Sequence, residues 1–126
     1  MVKASRVSVK QVERIVKNAL AEDLAYGDVT TEALIPSALL GKASILVKKE
    51  GLLAGIDVAK EVFRQVDRSL HFKAMVKDGA KVHKGEVVAS IEGRAASILK
   101  AERVALNFLQ HLSGIATETA RYVEAV

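Results

Sequence analysis

The stretch that most constrains this chain is "KAERVALNFLQHLSGIAT", residues 100–117. Stepped at about 100° per residue, Ile98, Leu99, Ala101, Val104, Ala105, Leu106, Phe108, Leu109 and Leu112 cover well over half of a helix's circumference. A helix apolar over that much of its surface has to pack on more than one side. Lys100, Arg103, Asn107, Gln110 and His111 share the remaining arc, spaced by three and four residues. That arc has two readings, a solvated face or a recognition face, and its hydrogen-bonding groups with one fork donor keep both open. Glu102 falls inside the apolar sector, between Leu106 and Leu109. Burying an isolated carboxylate is expensive unless a cation or backbone amides pair with it. Glu102 is therefore either a structural ion-pair member or the group that positions a neighbouring cation. In the second reading Arg103 offers its planar fork to a ligand carboxylate or phosphate.

Around such a helix the chain has material for one domain, or for one domain and a fragment of another. It has 126 residues, 50% of them apolar and only 4% aromatic, so the core is built of Val, Leu, Ile and Ala. It has no cysteine, which excludes disulfides, thiol catalysis and thiolate metal sites. The net charge of +4 suits an anionic partner, but Lys and Glu alternate and no basic run is interleaved with aromatics, so nucleic acid is not expected. No apolar run approaches the roughly 20 residues of a membrane span. The N-terminus lacks a signal-peptide core. No membrane association is expected, and the expected location is the cytoplasm.

Ser8 and Gln11 form a capping box, followed by Val9, Val12, Val16, Ala19 and Leu20 at helical spacing, which predicts a helix over about 9–24. "EDLAYGDVTTEALIP" (22–36) is polar and punctuated, an ordered surface segment ending at the only proline; its "GDVTT" reads first as a helix cap through Asp28 and second as a substrate-facing loop. "GKASILVKK" (41–49) has strand composition, with Ala43, Ile45 and Val47 on one face. A helix begins near Asp57 and buries Ala59, Val62, Phe63 and Val66. "SLHFKAMV" (69–76) alternates, with Leu70, Phe72, Ala74 and Val76 inward and His71, Lys73 and Met75 outward. "KDGAKVHKGEVVASIEG" (77–93) holds two turns and a strand over Val87 to Ile91. Gly51, Gly55, Gly79, Gly85 and Gly93 are expected at turns that need unusual backbone angles. The long helix is predicted from near Arg94 to Leu112, with Gly114 as its C-terminal cap. "IATETARYVEAV" then opens another helix that ends without a stop signal, as a chain cut short would.

Four of these blocks, in order, resemble the quinolinate phosphoribosyltransferases, also called nicotinate-nucleotide pyrophosphorylases (carboxylating). They are "EDLAYGDVTTEALIP", "KKEGLLAG" (48–55), "DGAKVHKGEVVASIEG" (78–93) and "ERVALNFLQHLSGIAT" (102–117), and the likeness runs from about residue 8 to the end. The resemblance implies an α+β fold. It gives an N-terminal sandwich-like domain over residues 1–112, with barrel-sandwich type strands and two to three helices. Residues 113–126 then begin an α/β barrel that is otherwise absent. It implies a homodimer or higher oligomer, paired head to tail, with each active site completed by the partner. It further implies that quinolinate and phosphoribosyl pyrophosphate react, with Mg²⁺, to nicotinate mononucleotide, pyrophosphate and CO₂. Arg103 would reach across the dimer to a quinolinate carboxylate, with Glu102 as its neighbour and without an assigned role. The other substrate ligands and the metal ligands belong to the barrel, so the chain alone is expected to be inactive.

Three rivals remain at this point. The Gly-x-x-Val-x-x-Gly spacing of 79–85 is also that of lipoyl and biotinyl carrier modules, although the long helix has no place in them and no lysine sits in their Met-Lys or Asp-Lys turn. A relative of the same fold serving molybdenum transport is the second, and a non-catalytic interaction domain the third. His71, His83 and His111 stand singly, His71 on an exposed strand face, so zinc is not expected. No phosphate loop, dinucleotide fingerprint or nucleophile elbow is present.

Overall fold

The computed structural model describes the backbone of residues 8–26 and 35–125, and the side chains of 8–23 and 35–117. Helix α1 (Val9–Tyr26) opens on the expected capping box: the Gln11 amide donates to Ser8 Oγ at 3.2 Å and the Ser8 amide to Gln11 Oε1 at 3.0 Å. The helix runs past the predicted end, so Glu22 to Tyr26 continue α1 instead of opening the punctuated segment. The Asp28 cap lies outside the described residues.

Strands β1 (Leu40–Leu46), β5 (Val87–Arg94) and β3 (His71–Ala74) form an antiparallel sheet in that order. Register places Lys42, Glu92 and His71 in one row, and Ala43, Ile91 and Phe72 in the next. Period-two alternation turns the second row inward, as the sequence predicts for Ala43 and Phe72. A bulge after Ile45 lets β5 bury both Val88 and Ala89. Ala74, expected inward, is exposed because β3 is a four-residue edge strand that ends there. Strands β2 (Gly51–Leu52) and β4 (Lys81–Val82) pair as a second, two-stranded sheet.

Helix α2 (Ile56–Val66) buries Ile56, Ala59, Val62 and Phe63 against helix α3 (Ala95–Ala125). Its first amide is capped from a distance: Asp78 Oδ1 accepts from Ile56 N at 2.8 Å, so the Asp-Gly turn serves the helix as well as its own strands. Gly55, just before α2, has φ +96°, and a Cβ there would meet Leu112 Cδ1 at 2.8 Å. Only glycine fits both demands. Gly79, Gly85 and Gly93 also take positive φ; Gly51 does not, and lies in β2 where Thr117 occupies the space of a side chain. The core joins Val16, Val62, Phe63, Val88 and Ile91, each under 2% exposed, and each such burial contributes roughly 1.5–3 kcal/mol.

Helix α3 corrects the reading of its C-terminal half. It is one helix of 31 residues that passes through Gly114 without a cap or a second start. Tertiary contact overrides the glycine. Ser113 Oγ accepts from Ala54 N at 3.0 Å and donates to Ala54 O at 3.1 Å, and Thr117 Oγ1 accepts from Leu52 N at 3.0 Å. Hydroxyls one turn apart thus hold the helix on the backbone around β2, which outweighs the roughly 1 kcal/mol that a mid-helix glycine costs.

Candidate anion-recognition site

The apolar sector of α3 behaves as the sequence demands. Ile98, Ala101, Val104, Ala105 and Leu109 are buried, while Arg103, Asn107, Gln110 and His111 are exposed. Leu99, expected inside, is 48% exposed because it lies at a cleft between α1 and α3. Glu102 is half-buried and not engulfed, for the same reason: the cleft, of about 780 Å³, opens beside it. No charged side chain is buried among the described residues. The costly isolated carboxylate expected at Glu102 is therefore not present.

Arg103 stands at this cleft with its side chain 61% exposed, and its carboxylate partner is not Glu102. Asp23, in the last turns of α1, takes that place: Nε lies 3.0 Å from Oδ1, and Nη2 donates to Oδ2 at 3.1 Å. Helical phase explains the choice. Neighbours on one helix diverge by about 100°, whereas α1 presents Asp23 directly across the cleft. An exposed pair of this kind contributes about 0.2–1 kcal/mol to stability. Its geometric effect is larger than its energetic one, because one hydrogen bond from Nη2 and a close ion-pair contact at Nε place the carboxylate along one edge of the guanidinium.

Glu22, Asp23 and Glu102 line the cleft together with Arg103, three carboxylates to one guanidinium among the described residues. This lining does not trap a free anion by itself; it suits an arginine that reaches a ligand held chiefly by another surface. Among the described residues no group of three His, Cys, Asp or Glu side chains could hold a metal ion. The resemblance places the ligands of the implied Mg²⁺ in the barrel, outside these residues. His71, His83 and His111 are all exposed and stand apart; His83 Nδ1 lies 3.5 Å from Glu50. A second, smaller groove of about 370 Å³ runs between β2 and α3, but the Ser113 and Thr117 hydroxyls on its wall are taken up by backbone groups. Among the described residues no helix is long and apolar enough to cross a membrane.

Sequence reasoning missed Asp23 altogether. Its partner lies 80 residues away, and no spacing rule joins the two.

The structure is a mixed α+β unit in which Asp23 of α1 and Arg103 of α3 pair at a cleft between the two helices. Residues 28–113 match the family model described as the N-terminal domain of quinolinate phosphoribosyl transferase. The chain belongs to the quinolinate phosphoribosyltransferase family. It is 45% identical over 112 residues to quinolinate phosphoribosyltransferase [decarboxylating] 1 of Nicotiana glauca, covering 88% of this chain and 32% of the relative. It is 38% identical over 116 residues to a probable nicotinate-nucleotide pyrophosphorylase [carboxylating] of Bacillus subtilis, covering 92% and 40%. Two solved structures share the fold. NadC from Streptococcus pyogenes superposes with a TM-score of 0.87 at 42% identity, over 94% of this chain and 43% of that one. The nicotinate-nucleotide pyrophosphorylase from Francisella tularensis gives 0.90 at 35% identity, over 98% and 44%. The chain thus spans about a third to two fifths of the length of these curated relatives.

Proposed function

We propose that this chain supplies the substrate-binding and dimer-interface part of a quinolinate phosphoribosyltransferase, with Arg103 as the residue that meets a quinolinate carboxylate in the partner subunit. The observation that carries this reading is the guanidinium of Arg103, paired with Asp23 along one edge yet 61% exposed, at a cleft lined by three carboxylates. Quinolinate is a pyridine dicarboxylate, and a fork donor matches a carboxylate through two N–H···O bonds. A cleft with three carboxylates would repel that dianion unless other cations held it first. The remaining cations, the phosphoribosyl pyrophosphate site and the stabilisation of the departing pyrophosphate are assigned to a barrel domain. On this reading residues 1–112 are the N-terminal domain and residues 113–126 begin the barrel. Since α3 runs unbroken across residue 112, one helix would serve both parts. The chain alone forms no nicotinate mononucleotide, and it functions as a homodimer or higher oligomer. The proposed location is the cytoplasm, although some plant relatives are named as mitochondrial or chloroplastic.

The test is a hybrid in which residues 8–117 replace the matched segment of the Bacillus subtilis relative. Calorimetric titration should show quinolinate binding to the hybrid. Arg103→Ala should weaken it by about tenfold to a hundredfold, the range of a lost charged hydrogen bond. Unchanged affinity would remove Arg103 from the site.

A further inference from the structure

We infer that Asp23 is a positioning residue for Arg103, fixing the plane in which the guanidinium meets a carboxylate ligand. The inference rests on the reading of Arg103 given above. Glu22, Asp23 and Glu102 stand at the cleft, and Asp23, on a different helix from Arg103, accepts a hydrogen bond from it. Asp23 Oδ2 accepts from Nη2 at 3.1 Å and Oδ1 stands 3.0 Å from Nε, so the carboxylate lies along one edge of the fork. A guanidinium has five N–H donors in a rigid plane, so holding one edge sets the direction of the Nη1/Nη2 end. The two side chains are also unequally seated: Asp23 is 24% exposed against 61% for Arg103. Asp23 is the anchored member and Arg103 the presented one. The anchor is itself fixed. Val16 of α1 is fully buried in the core, and Gln65 of α2 donates to the Glu13 carbonyl at 2.9 Å.

A carboxylate next to an anion-binding cation has two opposed effects, and their signs separate the roles. As a mere counter-charge, Asp23 competes with the ligand, and neutralising it would tighten binding. As a positioning group it holds the fork in the productive plane, and neutralising it would weaken binding despite the removed repulsion. Positioning is the stronger effect where geometry is demanding.

The experiment uses the hybrid described above, with steady-state kinetics on both substrates. Asp23→Asn should raise KM for quinolinate by about tenfold while leaving KM for phosphoribosyl pyrophosphate within twofold. Asp23→Glu, which keeps the carboxylate, should recover part of that loss. In an Arg103→Ala background Asp23→Asn should add nothing, because the group it positions is gone. A lower KM for quinolinate in Asp23→Asn, or an equal loss with and without Arg103, overturns the positioning role. If Arg103→Ala itself leaves KM unchanged, it is the assignment of Arg103 that fails. A second measurement needs only the 126-residue chain. The Arg103 Nε–H resonance should shift in Asp23→Asn while the thermal midpoint stays within a few degrees, and an unmoved resonance would show that Asp23 does not hold Arg103.

Discussion

Asp67 terminates α2, and its carboxylate gathers the elements that meet there. Ser69 donates its hydroxyl at 2.6 Å and its amide at 2.9 Å to Oδ1, and Ser97 of α3 donates at 2.7 Å to Oδ2. These bonds, led by the Ser69 hydroxyl and helped by the charge of Arg94, hold its carboxyl down at about 2 against an ordinary 3.8. The folded chain therefore favours the ionised form. Its contribution is complete above about pH 4 and fades as pH falls towards about 2. Asp67→Asn should cost about 1 kcal/mol at pH 6. By urea unfolding, the gap between the two proteins should close between pH 4 and pH 2. A gap that stays constant through that range would mean that the hydroxyl bonds are not made in solution. None of this was legible from "QVDRSL", where Asp67 looks like any helix-terminating polar residue. Arg103, by contrast, stood out in the sequence because an otherwise apolar helix has few polar places to fill.

Helix α3 shows where periodicity succeeds and where it stops. Burial of Ile98, Ala101, Val104, Ala105 and Leu109 follows from their phase, and the faces of β1 follow from alternation. Gly114 misleads, since a glycine after a leucine-rich run is the usual sign of a helix end. What carries the helix onward is the pair of hydroxyls at Ser113 and Thr117 gripping residues 52–54, which becomes visible only once β2 is in place. A test follows directly. A Cβ at Gly114 would meet no atom within 4 Å, and its backbone is helical. Gly114→Ala should therefore stabilise the chain by roughly 0.5–1 kcal/mol in chemical denaturation. A cap glycine would give the opposite sign. Gly55→Ala, where φ is +96° and Leu112 closes the space, should destabilise instead.

At the scale of the whole molecule, the α+β architecture and the family were both readable, because four separated blocks had to be brought into one order and one core. The candidate site was only half readable. Its arginine came from one helix, its anchor from another, and the cleft between them from packing that no local pattern encodes. That division also explains the misplacement of Glu102, which a helical wheel buries and the gap beside α1 leaves half-buried. The chain accounts for about a third to two fifths of its curated relatives' length, and among the described residues Arg103 is the one cation lining a cleft with three carboxylates. The most direct measurement is a crystal structure of the hybrid with quinolinate bound. The account predicts the Arg103 guanidinium within about 3 Å of a quinolinate carboxylate in the partner subunit, with Asp23 still on its Nε/Nη2 edge. Arg103 turned to solvent, with quinolinate bound out of its reach, would contradict it.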